Sequence, residues 1–554
     1  MCGIFAIINN KSSITQSQIE KSFDYGKNRG PDDSKLQVYD RVLTLGFHRL
    51  SINGIDRISN QPLIIDNIHL ICNGEIYNYK QLYSQLQIEP ISNSDCEIII
   101  HLYRKFGIEK TIQLLDGVFA FVLLDKRDNL NKIYVARDPF GVRPLYFYNK
   151  NNILAFASEL KSISPMFTNG IRQFTPGTYT EIIMENQLIT SIIENQKYYN
   201  ISVSPSIDYY SIKNIDYLIY NIQQYFMNAV YKRFNNCMRP VACLLSGGLD
   251  SSLVTAIANK LQLEKNNQTI ETYSIGFFGS DDLYNANIVA NKLKTKHTEI
   301  FLEEYNILGY INKIIRDCET YDVTTIRASI GNYILGEYIS KNSEAKVILN
   351  GDGADELQGG YLYFNKIPNA LEFDLESQRL LKDISYFDVL RSDKCISSHG
   401  LEPRTPFLDK SFVNYYLSIP SELRYTIHQT YGEKYLIRKA FTKKYFSEEL
   451  LPDEILFRRK EAFSDGVSKQ HKNLFDIIKD EIKTITNLNE KQYYRKIFDQ
   501  YYPGHFETIP YYWMPKYIEA NDPSARMLFD TKTKLENQDI NINIAIQGGN
   551  RTKF

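Results

Sequence analysis

Two short stretches hold residue types arranged for chemistry. The first is the amino-terminal "MCGIFAI", with Cys2 directly ahead of an apolar run. A free thiol titrates near about 8.5 and needs a base before it can attack at neutral pH. With Met1 removed, the α-amine of Cys2, titrating near about 8, can take the thiol proton and return it to a leaving amine. No histidine is then required. The plainer reading makes Cys2 a small apolar residue of a first strand. The second stretch is "CLLSGGLDSSLVTA", where an apolar strand runs through Leu245, Ser246, Gly247, Gly248, Asp250 and Ser251 into a helix. Adjacent glycines let the backbone turn sharply, and the unpaired N–H groups at the helix start favour an anion such as phosphate. A carboxylate at Asp250 fits beside phosphate once Mg²⁺ bridges the two. A helix cap after a plain Gly-Gly turn is the alternative.

The full S-G-G-x-D-S-S pattern resembles the PP-loop of ATP pyrophosphatases, and the Walker pattern is absent. A second turn, "VILNGDGADELQGGYLY", follows another short apolar strand and carries Asp352, Asp355 and Glu356. It is no dinucleotide fingerprint, because the position for the third glycine after Gly351 and Gly353 holds Glu356. Its acidity fits Mg²⁺ with a cationic or metal-bound ligand.

The elements that must position these turns follow from the pattern. Residues up to about 200 read as brief β-rich runs, "GIFAII", "LTLGFHRLSI", "NIHLICNGEIY", "GVFAFVLLD", "KIYVARD", "LYFY" and "ILAFAS", with a helix in "SDCEIIIHLYRKFG" that stops at Gly107. After a Ser-rich stretch near 199–211, long helical segments alternate with short apolar strands, which argues for a parallel sheet covered on both faces. Helices dominate beyond 370, and the last 20 or so residues are polar. A chain of 554 residues needs more than one core. A net charge of −1 calls for neither nucleic acid nor an anionic membrane. Seven widely spaced cysteines without C-x-x-C argue against a disulfide scaffold or zinc module and for a reducing compartment. No signal peptide and no run approaching the roughly 18 apolar residues of a membrane span is legible.

Over nearly its whole length the chain resembles the glutamine-hydrolysing asparagine synthetases. The matching stretches include "MCGIFAI", "NRGPDD", "FHRLSI", "NGEIYNY", "SDCE", "ARDPFGVRPLY", "LLSGGLDSS", "NGDGADELQGGY", "SDKCISSHGLEPRTPFLD", "EKYLIRKAF" and "LPDEILFRRKEAFSDGV". The resemblance implies an N-terminal amidohydrolase domain releasing ammonia from glutamine, a tunnel, and a C-terminal domain that adenylates aspartate with ATP before ammonia displaces AMP. It implies Cys2 as nucleophile, with Asn73 and Gly74 as oxyanion hole. The glutamine pocket falls on Arg49, Leu50, Ser51, Ile52, Asn53, Asn73, Gly74, Glu75 and Asp95. Arg49 suits the substrate carboxylate, and Glu75 and Asp95 its ammonium. Asn73-Gly74 also reads as a hairpin turn. ATP falls on Leu245, Ser246, Gly247, Gly248, Asp250, Ser251, Ile275, Asn350 and Gly351, Mg²⁺ on Asp250 and Asp355, and the transition-state lysine on Lys460.

The family usually carries Ser-Gly-Glu-Gly-Ser-Asp-Glu where this chain has Asn350-Gly351-Asp352-Gly353-Ala354-Asp355-Glu356. The catalytic glutamate is thus Asp352, roughly 1.5 Å shorter in reach. The expected fold is two domains: an α+β, N-terminal-nucleophile αββα sandwich at 2–200, and an α/β ATP-pyrophosphatase-type parallel sheet with added helices at 213–530. A linker at 201–212 and a polar tail at 531–554 complete the chain. Expected partners are glutamine, aspartate and ATP, with no nucleic acid and no membrane, a cytoplasmic location, and a homodimer left open. Three rivals stand beside this reading. They are an adenylating amidotransferase acting on another carboxylate, a non-catalytic nucleotide-binding homologue, and an amidotransferase for sugar substrates.

Overall fold

The computed structural model describes residues 2–9, 13–40, 42–201, 215–303, 306–459 and 474–520. The N-terminal half contains strands β1 (Gly3–Ile8), β2 (Asp33–Tyr39), β3 (Leu43–Arg49), β4 (Leu63–Ile65), β5 (Ile68–Ile76), β6 (Gly117–Asp125), β7 (Asn131–Arg137), β8 (Tyr146–Lys150), β9 (Ile153–Ala157), β10 (Ile171–Gln173), β11 (Thr178–Glu185) and β12 (Leu188–Lys197). They form two six-stranded antiparallel sheets, ordered β10-β8-β9-β1-β3-β2 and β12-β11-β7-β6-β5-β4. The period of two divides each strand between layers. Ile4, Ala6 and Ile8 of β1 meet Ala120, Val122 and Leu124 of β6 between the sheets. Phe5 and Ile7 face outward to Ile19 and Phe23 of helix Gln16–Asp24. Phe119, Phe121 and Leu123 face the helices Tyr79–Leu86 and Ile98–Leu114. This is the αββα layering expected.

Three local differences from the sequence reading stand out. The helix expected to stop at Gly107 breaks there instead, with φ 75° and ψ 176°, and a further helical segment runs on to Leu114. Asn73 and Gly74 lie inside β5, paired with Ala120 and Phe119, so they make no hairpin turn. Strands β2, β11 and β12, rich in polar residues, escape the apolar-run criterion.

The C-terminal half is built on a parallel sheet, β13 (Val241–Leu244), β14 (Glu271–Gly276), β15 (Lys296–Phe301), β16 (Val347–Leu349) and β17 (Glu402–Arg404), in the order β15-β14-β13-β16-β17. Strands β13 and β16 are fully apolar, as burial on both faces demands, whereas β14 buries Thr272 and Ser274 among its apolar residues. Helices Ile215–Asn235, Leu249–Asn266 and Val323–Asn342 cover it. Of the stretch 201–212 only Ile201 is described, and 531–554 lies outside the described residues. No described helix is long and apolar enough to cross a membrane.

Candidate active sites

The structure places the singled-out residues in two centres. In the N-terminal half, Cys2 sits at the entry to β1, its Sγ 3.6 Å from the Leu50 carbonyl. Burial pushes its thiol up to about 11, with Glu402 and Glu75 adding to the push. A resting thiolate is therefore disfavoured, and attack needs a base. His48 pairs across β3 with Gly3. Both its ring nitrogens are engaged, with Ser34 Oγ at 2.7 Å and the Phe23 carbonyl at 2.8 Å, so it offers Cys2 no base.

Asn73 is fully buried on β5. Its Nδ2 reaches Ser158 Oγ only at 3.4 Å, and its Oδ1 has no partner among the described residues. Such a group costs free energy unless a ligand completes it. Arg49 ends β3, and its guanidinium donates to the Asp56 carbonyl at 2.9 Å and also to Gly54 and Asn60, which wraps the loop after Leu50 around it. Ser51 N donates to Asp32 at 2.8 Å. Leu50 and Ile52 are buried. Asn53 donates to Glu75 at 2.7 Å. Asp95 accepts from the Ile76 N–H at 2.6 Å, and burial raises its carboxyl to about 6.

Glu75 pairs with a residue that the sequence reading did not single out, Arg404 at the end of β17, at 3.1 Å. Arg404 also donates to Glu402 at 2.8 Å. Burial would raise Glu402, but Arg404 and Arg143 outweigh it and hold that carboxyl low. Glu75 is held well above the usual range by burial, then by Asp95 and Glu402. Arg29 donates to the Cys2 carbonyl at 3.0 Å, to Glu159 at 2.6 Å and to Asp393 at 2.7 Å. Arg29 and Arg404 lie in the quoted stretches "NRGPDD" and "GLEPRTPFLD". Their type alone did not say that they would be buried against the other half.

The second centre lies at the carboxyl ends of β13, β14 and β16, where open parallel sheets bind ligands. Gly247 has φ +70°, and a Cβ there would meet the Ala286 nitrogen at 2.4 Å, so only glycine turns the chain at this point. Gly248 begins helix Leu249–Asn266, and its N–H donates to Ser246 Oγ at 3.3 Å. The hydroxyls of Ser246 and Ser251 meet at 3.0 Å. Gly351 of the second turn approaches so closely that its Cβ would lie 2.8 Å from Asp250 Cβ, which locks the two turns together. Leu245, Ile275, Asn350, Asp352 and Asp355 line the same cavity.

Asp250 and Asp355 converge on one cation, Lys434, whose Nζ is 2.6 Å from Asp250 Oδ2 and also bonds Asp355. Lys434 adopts the left-handed conformation, with φ 58°, at the start of helix Tyr435–Ala440, and its side chain is 1% exposed. Asp250 Oδ1 is buried with no partner among the described residues. Hard carboxylate oxygens converging on one point, with an acceptor to spare, fit Mg²⁺ completed by phosphate oxygens. Arg391, Arg438, Arg458 and Arg459 also line the cavity and suit it to a polyanion. Lys460 lies outside the described residues.

The two centres are joined by helix Asp388–Ser397. Toward the second centre, Arg391 pairs with Asp352 at 3.0 Å. Toward the first, Asp393 holds Arg29, and Lys394 pairs with Glu159 at 3.2 Å and with Glu319.

Comparison with known proteins matches residues 1–199 to a glutamine amidotransferase domain, and residues 221–377 and 364–520 to an asparagine synthase model. Among relatives, asparagine synthetase [glutamine-hydrolyzing] of Gallus gallus is 38% identical, over 97% of this chain and 100% of its own length. That of Rattus norvegicus is 38% identical over 96% of this chain and 99% of its own. That of Homo sapiens is 36% identical over 97% and 100%.

Proposed function

The chain belongs to the glutamine-hydrolysing asparagine synthetases, ATP-dependent ligases with an amidotransferase and a synthase domain, and on that premise we propose how its residues divide the work. The domains run over residues 2–200 and 213–530. The thiol of Cys2 attacks the glutamine amide, and its own α-amine, freed by removal of Met1, takes the proton. This assignment is supported by the raised thiol and by the commitment of both His48 nitrogens. The Asn73 side chain and the Gly74 N–H receive the developing oxyanion. Arg49 holds the substrate carboxylate, and Asp95 with Glu75 its ammonium. Ammonia then passes to the second centre.

There the amides of Ser246–Ser251 and the cavity arginines hold ATP, with Leu245, Ile275, Asn350 and Gly351 along its flank. The aspartate carboxylate attacks the α-phosphorus, giving aspartyl-AMP and pyrophosphate, and ammonia displaces AMP to give asparagine. Asp250 and Asp355 hold Mg²⁺, which when bound offsets repulsion between the attacking carboxylate and the phosphates. Asp352 serves the aspartyl-AMP intermediate, and Lys460 stabilises the charged transition state.

The observation that carries the proposal is the pairing, in one chain, of a thiol at the entry to β1, which burial holds protonated, with a second centre where two aspartates converge on one cation. Glutamine labelled with ¹⁵N in its amide, supplied with ATP and aspartate, tests it. The label must reach asparagine. Cys2→Ala must lose glutamine-dependent synthesis while ammonia-dependent synthesis persists. Label in the amide of another carboxylate, with none in asparagine, would turn the reading to that acceptor.

A further inference from the structure

Asp352 is anchored by Arg391 and by the side chain of Asn350, which Ser392 holds in turn. Its Oδ1 pairs with Arg391 at 3.0 Å. Its Oδ2 accepts from Asn350 Nδ2 at 2.7 Å. The same amide nitrogen donates to Ser392 Oγ at 2.7 Å. Asn350 Oδ1 in turn accepts from the Asp352 N–H at 3.4 Å. Asn350 is 4% exposed and Ser392 is 1% exposed, so the amide is clamped from within the protein. Both carboxylate oxygens are held, and both hydrogens of the Asn350 amide are spent.

We propose that Asn350 is the positioning residue that adapts this centre to an aspartate. Where the family usually places serine and glutamate, this chain has Asn350 and Asp352. One side chain lengthens as the other shortens. A serine at 350 would end near the place of the Asn350 amide carbon and leave Asp352 Oδ2 without its donor. A glutamate at 352 would carry the carboxylate roughly 1.5 Å further, into an amide already at hydrogen-bond distance. The two positions therefore make a matched pair, and either change alone breaks it. Asn350 acts through Asp352, so the inference rests on Asp352 serving the aspartyl-AMP step as proposed above.

The test compares the wild type with Asn350→Ser, Asp352→Glu and the double variant in ammonia-dependent asparagine synthesis. Each single change is expected to lower kcat about 10- to 100-fold, the cost of a lost or misplaced hydrogen bond to a charged group, while KM for ATP shifts far less. The double variant is expected to recover to within about threefold of the wild type, the mark of coupled rather than additive sites. Fold-losses that multiply in the double variant overturn the pairing. Thermal unfolding midpoints check folding. Should Asn350→Ser fail to fold, Ser392→Ala, which removes the outer anchor of the amide, takes its place. It is expected to cost about three- to tenfold in kcat, and an unchanged kcat overturns the proposal. Asp352→Ala separates the two layers. Wild-type kcat in that variant defeats the role of Asp352 itself, whereas an inactive Asp352→Ala beside multiplying single losses defeats only the pairing.

Discussion

Replacing Lys434 with methionine removes one buried cation and leaves two carboxylates facing each other. Their oxygens hydrogen-bond one tetrahedral nitrogen, so they stand roughly 4 Å apart. At an effective dielectric constant near 20, two unit charges at that distance repel by about 4 kcal/mol. Methionine keeps most of the stem volume, so the loss is chiefly electrostatic. In EDTA the synthetase half of Lys434→Met is expected to melt about 5–10 °C below the wild type. Added Mg²⁺ should return most of that difference, because the cation neutralises the same two aspartates. Scanning calorimetry in EDTA and in Mg²⁺ reads both effects. A variant as stable as the wild type in EDTA refutes the view that Lys434 holds the aspartates together. A variant that Mg²⁺ does not rescue refutes the view that these carboxylates form the cation site.

Two further outcomes follow from the geometry. Burial raises Asp95 from its usual 3.8 to about 6, so the folded state binds that proton more tightly than the unfolded chain. Its contribution is fully present below about pH 4 and is lost as pH rises through 6, on the order of 3 kcal/mol at most. Asp95→Asn should flatten the fall in unfolding midpoint across that window, and an unchanged slope counts against the shift. Gly247→Ala places a Cβ 2.4 Å from the Ala286 backbone in a left-handed conformation. Pyrophosphate release should drop at least about 100-fold relative to glutaminase turnover in the same preparation, since displacing the turn displaces the amides that face the phosphates.

Much of this architecture is legible in the sequence because burial writes itself as pattern. The alternation in "GIFAII" and "GVFAFVLLD" marks strands with two packed faces, and "VACLL" and "KVIL" mark strands buried on both. The turns at Gly247 and Gly351 are equally plain, since few residues other than glycine tolerate such approaches. Strand β12 is not legible: its residues are half-exposed in alternation, and polar and apolar types mix along it. Nor is the fate of Asn73-Gly74, because the same dipeptide suits a turn or a strand in close contact. Lys434 and Arg404 are hidden for another reason. Lys434 meets Asp250 across 184 residues of chain, and such a pairing leaves no local mark. A basic residue in a loop reads as solvated until the fold buries it.

Helix Asp388–Ser397 and its ion pairs also bear on modularity. Arg29, Glu159, Asp393, Lys394 and Glu319 have side chains at most 3% exposed, so their attractions lie beyond the reach of salt. Raising the ionic strength does not prise the halves apart. Separating them by cutting the chain would expose one set of charges and strand the other without counter-ions, at a cost of several kcal/mol for each broken pair. A glutaminase half grafted from another amidotransferase would have to bring its own equivalents of Arg29, Glu159 and Glu75 to meet Asp393, Lys394 and Arg404. The unit of exchange in this protein is the sandwich together with the charges on its buried floor.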